Sequence, residues 1–214
     1  MQARRALSAE EAFKYLSGDD RRPLLVLREC LQCNGTDDAL MTRNADNERT
    51  LLMSRWFHCV KLPPDVLAED HPFHVLFGEA KPGHLFFARF DGTGRKDLTG
   101  QQSRTELWSL MESYLAQDYD KGVDGSLKAL LAMLDRFDRL DADLAKAREE
   151  LDDLIETGDG GSKKARKLQE RLVELESGKA RARADAHKLS ELKLKQATKG
   201  QSAKAPAPAG AGQG

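Results

Sequence analysis

Every aromatic residue of this chain lies before position 138: both Trp, all three Tyr and all eight Phe of its 214 residues. A packed globular interior draws heavily on large apolar side chains. The asymmetry therefore confines such a core to the first part of the chain and demands another architecture for the rest. That architecture is visible in the pattern. Leu130, Phe137, Leu144 and Leu151 recur every seven residues, and Met133, Leu140, Ala147 and Leu154 sit three positions later in each heptad. This is an a/d register, with Asp, Arg, Lys and Glu filling the other positions. The glycine-containing stretch TGDGGS at 157–162 ends the first helix. A second run follows through Leu168, Leu172, Leu175, Ala182, Ala186 and Leu189, with Lys179 breaking the seam.

Each such helix, at about 30 residues and about 1.5 Å per residue, is about 45 Å long. A long polar helix with a narrow apolar seam needs a partner. The short glycine-rich connection lets the two helices fold back as an antiparallel coiled-coil hairpin over residues 119–196. Pairing of a seam with another chain is the competing arrangement, and the two can coexist. Residues 197–214, rich in Ala, Pro and Gly, have little to bury and are predicted to be disordered.

The first 118 residues read as mixed α/β. SAEE at 8–11 has the capping-box form, and Ala12, Phe13 and Leu16 give one apolar face, so the pattern predicts a helix over 9–17. PLLVL at 23–27 is a short continuous apolar run, as expected of a central strand buried on both faces. Helices are predicted over 36–42 and 48–54, and a strand over 55–62. FHVLF at 73–77 fits either strand or helix. Two strand-like runs, 84–90 and 95–100, flank the Asp-Gly turn of a hairpin. Ser103 then caps a helix to about residue 117, with Leu107, Leu110, Met111 and Leu115 on one face. Trp56 and Phe57 are expected in the core, Trp108 on a helix face against the sheet, and His84 at the rim.

Charge narrows the functional classes. Lys and Arg total 34 against 35 for Asp and Glu, a net charge of -1, which is not that of a polyanion-seeking protein. The basic stretch KARARADAHKLSELKLK at 179–195 reads as a solvated helix face, and no nucleic-acid partner is expected. No apolar run reaches the roughly 20 residues that span a bilayer, and Glu10, Glu11 and Lys14 interrupt any secretory-type core near the start. A cytoplasmic protein without a membrane partner is the expectation. In that reducing setting a cysteine pair points to catalysis or metal binding rather than to a structural staple.

Cys30 and Cys33 form such a pair. Cys30 falls where the apolar strand ends and a helix is predicted, a position whose backbone N–H groups stabilise a thiolate. A second thiol one turn later can resolve a mixed disulfide formed by the first. Glu29, beside Cys30, opposes thiolate formation by like-charge repulsion. A zinc site would need four ligands, drawn from Cys30, Cys33, Cys59, His58, His71 and His74. His58 and Cys59 are adjacent in a predicted strand and point to opposite faces, and no second Cys-x-x-Cys occurs, so no metal is expected. Cys59 reads as a small buried hydrophobe.

Over about residues 8–118 the chain resembles the thioredoxin superfamily, and most closely its members with an N-terminal helix before the first strand. The pieces that carry the resemblance are RPLLVL before the motif, CLQC itself, ALMTRNADNERTLLMSRWFHCVKL after it, and KPGHLFFARFDGTGRKDLTGQQSRTELWSLM. The resemblance implies a thioredoxin-like central sheet flanked by helices, with Cys30 as nucleophile and Cys33 as resolving thiol. It makes Pro82 the proline that faces the cysteines and offers backbone to a substrate. The implied function is thiol–disulfide exchange or redox sensing on a protein disulfide, with no bound cofactor. The coiled coil would dock a partner protein or build a homo-oligomer. The alternative is a catalytically degenerate thioredoxin-like scaffold that acts through its coiled coil.

Overall fold

The computed structural model describes residues 5–30, 40–41, 46–78, 83–98, 102–120 and 122–195. Its centre is strand β1 (Leu24–Arg28), all five of whose residues are buried. β2 (His58–Leu62) pairs with it in parallel on one side. β3 (Leu85–Ala88) pairs antiparallel on the other, and β4 (Lys96–Leu98) adds antiparallel to β3. The sheet order is β2-β1-β3-β4. Side chains alternate faces along a strand, and the register carries that alternation across the sheet. Leu25 opposite Phe87 and Leu27 opposite Leu85 face one core, whereas Leu24 opposite Ala88 and Val26 opposite Phe86 face the other.

Helix α1 (Ala9–Ser17) covers the second face. Its capping box forms as read: Ser8 Oγ accepts from the Glu11 amide at 3.2 Å, and the Glu11 carboxylate accepts from the Ser8 amide at 2.9 Å. Phe13 meets Phe86 edge-on at 6.0 Å. Two 3₁₀ turns, Pro64–Leu67 and His74–Leu76, complete that layer with Val66 and Leu76. The ambiguous 73–77 run is thus a 3₁₀ turn. Helix α2 (Glu48–Ser54) has the predicted limits. The predicted strand 55–62 begins only at His58, because Trp56 and Phe57 turn inward from the end of α2, 3% and 1% exposed. Most of the predicted 36–42 helix lies outside the described residues.

The opposite face holds α2, α3 (Arg104–Asp118) and the start of α4 (Val123–Glu156). Ser103 caps α3 by accepting from the Glu106 amide. Leu107, Met111, Tyr114 and Leu115 are buried against Leu25, Leu27 and Phe87, together with Val123, Leu127 and Leu130 of α4. The expected boundary near residue 118 therefore falls inside one shared core. After α5 (Lys163–Ser190) the chain returns to that core. The Trp56 indole donates to the Ser190 carbonyl at 2.9 Å, and the Asp120 amide to Lys193 O at 2.9 Å. The Lys195 amide bonds Asp118 O at 2.8 Å, and Leu192 and Leu194 pack against the core.

Between these anchored ends α4 and α5 run side by side in opposite directions. Leu144, Ala147 and Leu175 are buried in their seam, with Leu140, Leu168 and Leu172 against them. Asp141 pairs with Lys179, and Arg148 with Glu176 at 3.0 Å. Exposed pairs of this kind contribute about 0.2–1 kcal/mol each, so they set register more than stability. No described helix is long and apolar enough to cross a membrane.

The β3–β4 turn separates two glycine effects. Gly92 and Gly94 both have positive φ, 82° and 66°. A Cβ on Gly94 would meet nothing, whereas one on Gly92 would overlap the Phe13 ring. Gly94→Ala should cost about 1–2 kcal/mol from left-handed backbone strain alone. Gly92→Ala should cost at least about 2 kcal/mol more, because the buried ring must move. Urea unfolding of both variants checks the ordering; equal midpoints would refute it.

Candidate functional site

The sheet leaves its last hydrogen bonds at the C-terminal end of β1. The Arg28 amide donates to His84 O at 2.8 Å, and the Glu29 amide to Leu62 O at 2.9 Å. Cys30 follows immediately and is half-buried. The central strand thus delivers Cys30 to the sheet end, beside the segment that enters β3. Cys33 and Pro82, the other two predicted site residues, lie outside the described residues.

Two charged side chains flank this position. The Glu29 carboxylate is 3.0 Å from Lys61 Nζ. The repulsion expected from Glu29 on a neighbouring thiolate is accordingly opposed by an ammonium group. Arg28 extends the strand one residue beyond the apolar run, which ends at Leu27. It is a strand residue only 6% exposed. Its Nε donates to Gly83 O at 3.4 Å and its Nη1 to Glu29 O at 3.3 Å. Burial pulls its pKa down, and a guanidinium nonetheless remains charged near neutrality. Burial, then the charge of Arg28, lowers the pKa of His84, which favours the neutral imidazole. The one sequence signal for Arg28 was a cation directly following four apolar residues and preceding the motif.

Cys59 corrects an expectation. It is exposed, not buried, and β2 lies at the edge of the sheet among the described residues. Its Sγ donates toward Ser54 O at 3.4 Å, and partial desolvation of the sulfur, opposed by the Arg22 charge, pushes the thiol pKa up. A thiol so shifted is a poor nucleophile at neutral pH. It borders a cavity of about 240 Å³ lined by Leu25, Leu27, Leu40, Met41 and Leu51 among others.

The histidines considered as zinc ligands are dispersed. His58 Nδ1 lies 2.9 Å from Asp20, which also holds Arg22 in a forked pair. This cluster is at the N-terminal end of β1, where Leu24 pairs with His58, and thus at the far end of the strand from Cys30. His71 Nδ1 accepts from the Phe73 amide at 3.2 Å. No group of three or more His, Cys, Asp or Glu is placed to hold a metal among the described residues. Compared with known protein families, characterised proteins and solved structures, the chain matches none of them.

Arg28→Met would leave the Gly83 and Glu29 carbonyls without this donor, at an expected cost of about 1–3 kcal/mol. Chemical denaturation measures it, and an unchanged midpoint would show that the guanidinium bonds are immaterial. The Asp20 cluster gives a pH signature. Hydrogen bonds from Arg22, first of all, lower the Asp20 pKa from 3.8 to about 2. The pairing therefore stabilises the fold above the unfolded value and is lost as pH falls through about 2. After allowance for solvent screening, Asp20→Asn should remove about 1 kcal/mol at pH 7 and almost nothing at pH 2. Stability curves of both proteins at the two pH values test this; a constant difference would contradict it.

Proposed function

We propose that residues 8–118 form a thioredoxin-like domain whose Cys30/Cys33 dithiol exchanges electrons with a protein disulfide. One observation carries the reading: Cys30 stands directly beyond the C-terminal end of the central strand in a β2-β1-β3-β4 sheet. That is where such a fold needs its nucleophile. In the reduced protein the Cys30 thiolate attacks one sulfur of the substrate disulfide. A mixed disulfide forms and the other substrate sulfur leaves as a thiolate. Cys33 then attacks Cys30, the reduced substrate departs, and the dithiol ends as a disulfide. An external dithiol donor must return two electrons for each turnover. Pro82 would present backbone to the substrate, and α4 with α5 would dock the partner or a second chain.

The experiment is insulin reduction with dithiothreitol as donor, paired with the reduction potential of the Cys30–Cys33 couple. The expected couple lies at roughly -270 to -180 mV. Cys30→Ser should abolish turnover, and Cys33→Ser should accumulate a mixed disulfide through Cys30. Turnover unaffected by Cys30→Ser would overturn the reading. Wild-type protein without any exchange activity would leave the second reading, a redox-inert scaffold. That reading is favoured by a different observation, a partly apolar cleft along the helical pair.

A further inference from the structure

The helical pair closes tightly where both helices supply large apolar residues. Leu144 and Leu175 are each 5% exposed there. Nearer the globular part the match fails. α4 presents Met133, Leu134 and Phe137, while the facing stretch of α5 offers Lys179, Ala182, Arg183 and Ala186. Short or charged side chains cannot fill the space opposite three large ones. The helices and the end of α2 therefore leave a cleft of about 490 Å³, within the size range of ligand sites of about 300–1,000 Å³. Met133, Leu134 and Phe137 stay half-buried in its floor, with Leu52 of α2 and Leu130 beside them. Lys179, which breaks the apolar seam in the sequence, lines this opening.

The rim has one dominant sign. Arg55, Lys179, Arg183 and His187 line the cleft against a single carboxylate, Asp141, which Lys179 already engages. His187 lies 3.2 Å from Glu191. Arg55 and Arg183 are exposed and have no carboxylate partner among the described residues. Asp135 and Asp138 of α4 do not line the cleft.

We propose that this cleft docks an acidic amphipathic helix of a partner protein. The occupant's apolar face would cover Met133, Leu134 and Phe137, and its carboxylates would meet Arg55 and Arg183. Leu130 to Asp141 covers about three turns of α4, or about 16 Å. That length matches an i, i+3, i+4, i+7 set of apolar anchors on the incoming helix. The surface works whether or not the dithiol reacts, since it shares no residue with the Cys30 end of β1.

The test uses the full chain and a fluorescein-labelled synthetic helical peptide of about 16 residues, with Leu at the anchor positions and Glu at most others. A second peptide replaces every Glu with Lys. Fluorescence anisotropy should show saturable binding of the acidic peptide and at least about tenfold weaker binding of the basic one. The exposed reversals Arg55→Glu and Arg183→Glu, which leave the core intact, should each weaken the acidic peptide about tenfold and together abolish its binding. Phe137→Ala should weaken both peptides alike, since it removes floor and not charge. Absence of saturable binding, equal binding of the two peptides, or insensitivity to the double reversal would overturn the proposal. A dimer in sedimentation that the double reversal dissolves would also overturn it, by assigning the cleft to a second copy of the chain.

Discussion

β1 is covered on both faces and paired on both edges, and the placement of every other element follows from that. A strand buried on two sides must be apolar at successive positions, and Leu24, Leu25, Val26 and Leu27 meet the condition. Full burial of each of these side chains contributes about 1.5–3 kcal/mol. Each face then recruits its own cover. The Leu24/Val26 face takes the short helix α1 and two 3₁₀ turns. The Leu25/Leu27 face takes α2, α3 and the beginning of α4. This second layer makes the long helices part of the globular body.

That attachment explains how a long, strongly charged helical pair can be held in place. Its own seam buries few residues, chiefly Leu144, Ala147 and Leu175. Charge supplies direction. Read from the sequence, α4 has ten acidic and five basic residues, and α5 has four acidic and nine basic. Opposite net charges favour the intrachain pair over association of two like helices. The ends do the rest. Val123, Leu127 and Leu130 fix the outgoing helix, while Ser190, Lys193 and Lys195 tie the returning chain to Trp56, Asp120 and Asp118. Anchoring both ends lowers the entropy cost of closing the pair, because the chain ends are already adjacent.

Local signals in the sequence were readable where the physics is local. The Ser8–Glu11 box, the Ser103 cap, the limits of α2 and the hairpin turn each depend on residues a few positions apart. Three features were not readable, and each depends on residues far apart. Cys59 was read as buried because alternation along β2 says nothing about its place at the edge of the sheet. Arg28 was read as lying beyond the strand because no local pattern announces that Gly83 will supply a buried carbonyl for it. The return of the chain to Trp56 after Ser190 follows a helix with no aromatic residue to mark it, and it becomes visible only once the two helices are seen to run antiparallel. At the candidate site, Cys30 was correctly placed at the end of the central strand, while the charges around it were not.

Those charges follow from register. In the parallel ladder Leu27 stands opposite Lys61, and Glu29 lies two positions beyond Leu27, on the same face. Lys61 is therefore brought to Glu29 by strand pairing alone, and the 3.0 Å contact is the consequence. Arg28, on the alternate face, turns instead toward the β3 entry and meets the carbonyls of Gly83 and Glu29. An acidic neighbour in sequence thus becomes half of an ion pair, and a cation overlooked in sequence becomes a buried one. The field at Cys30 is set less by the residue next to it in the chain than by which residues the sheet aligns at its end. A slip of one residue between β1 and β2 would leave both strands formed and move Lys61 to the opposite face from Glu29.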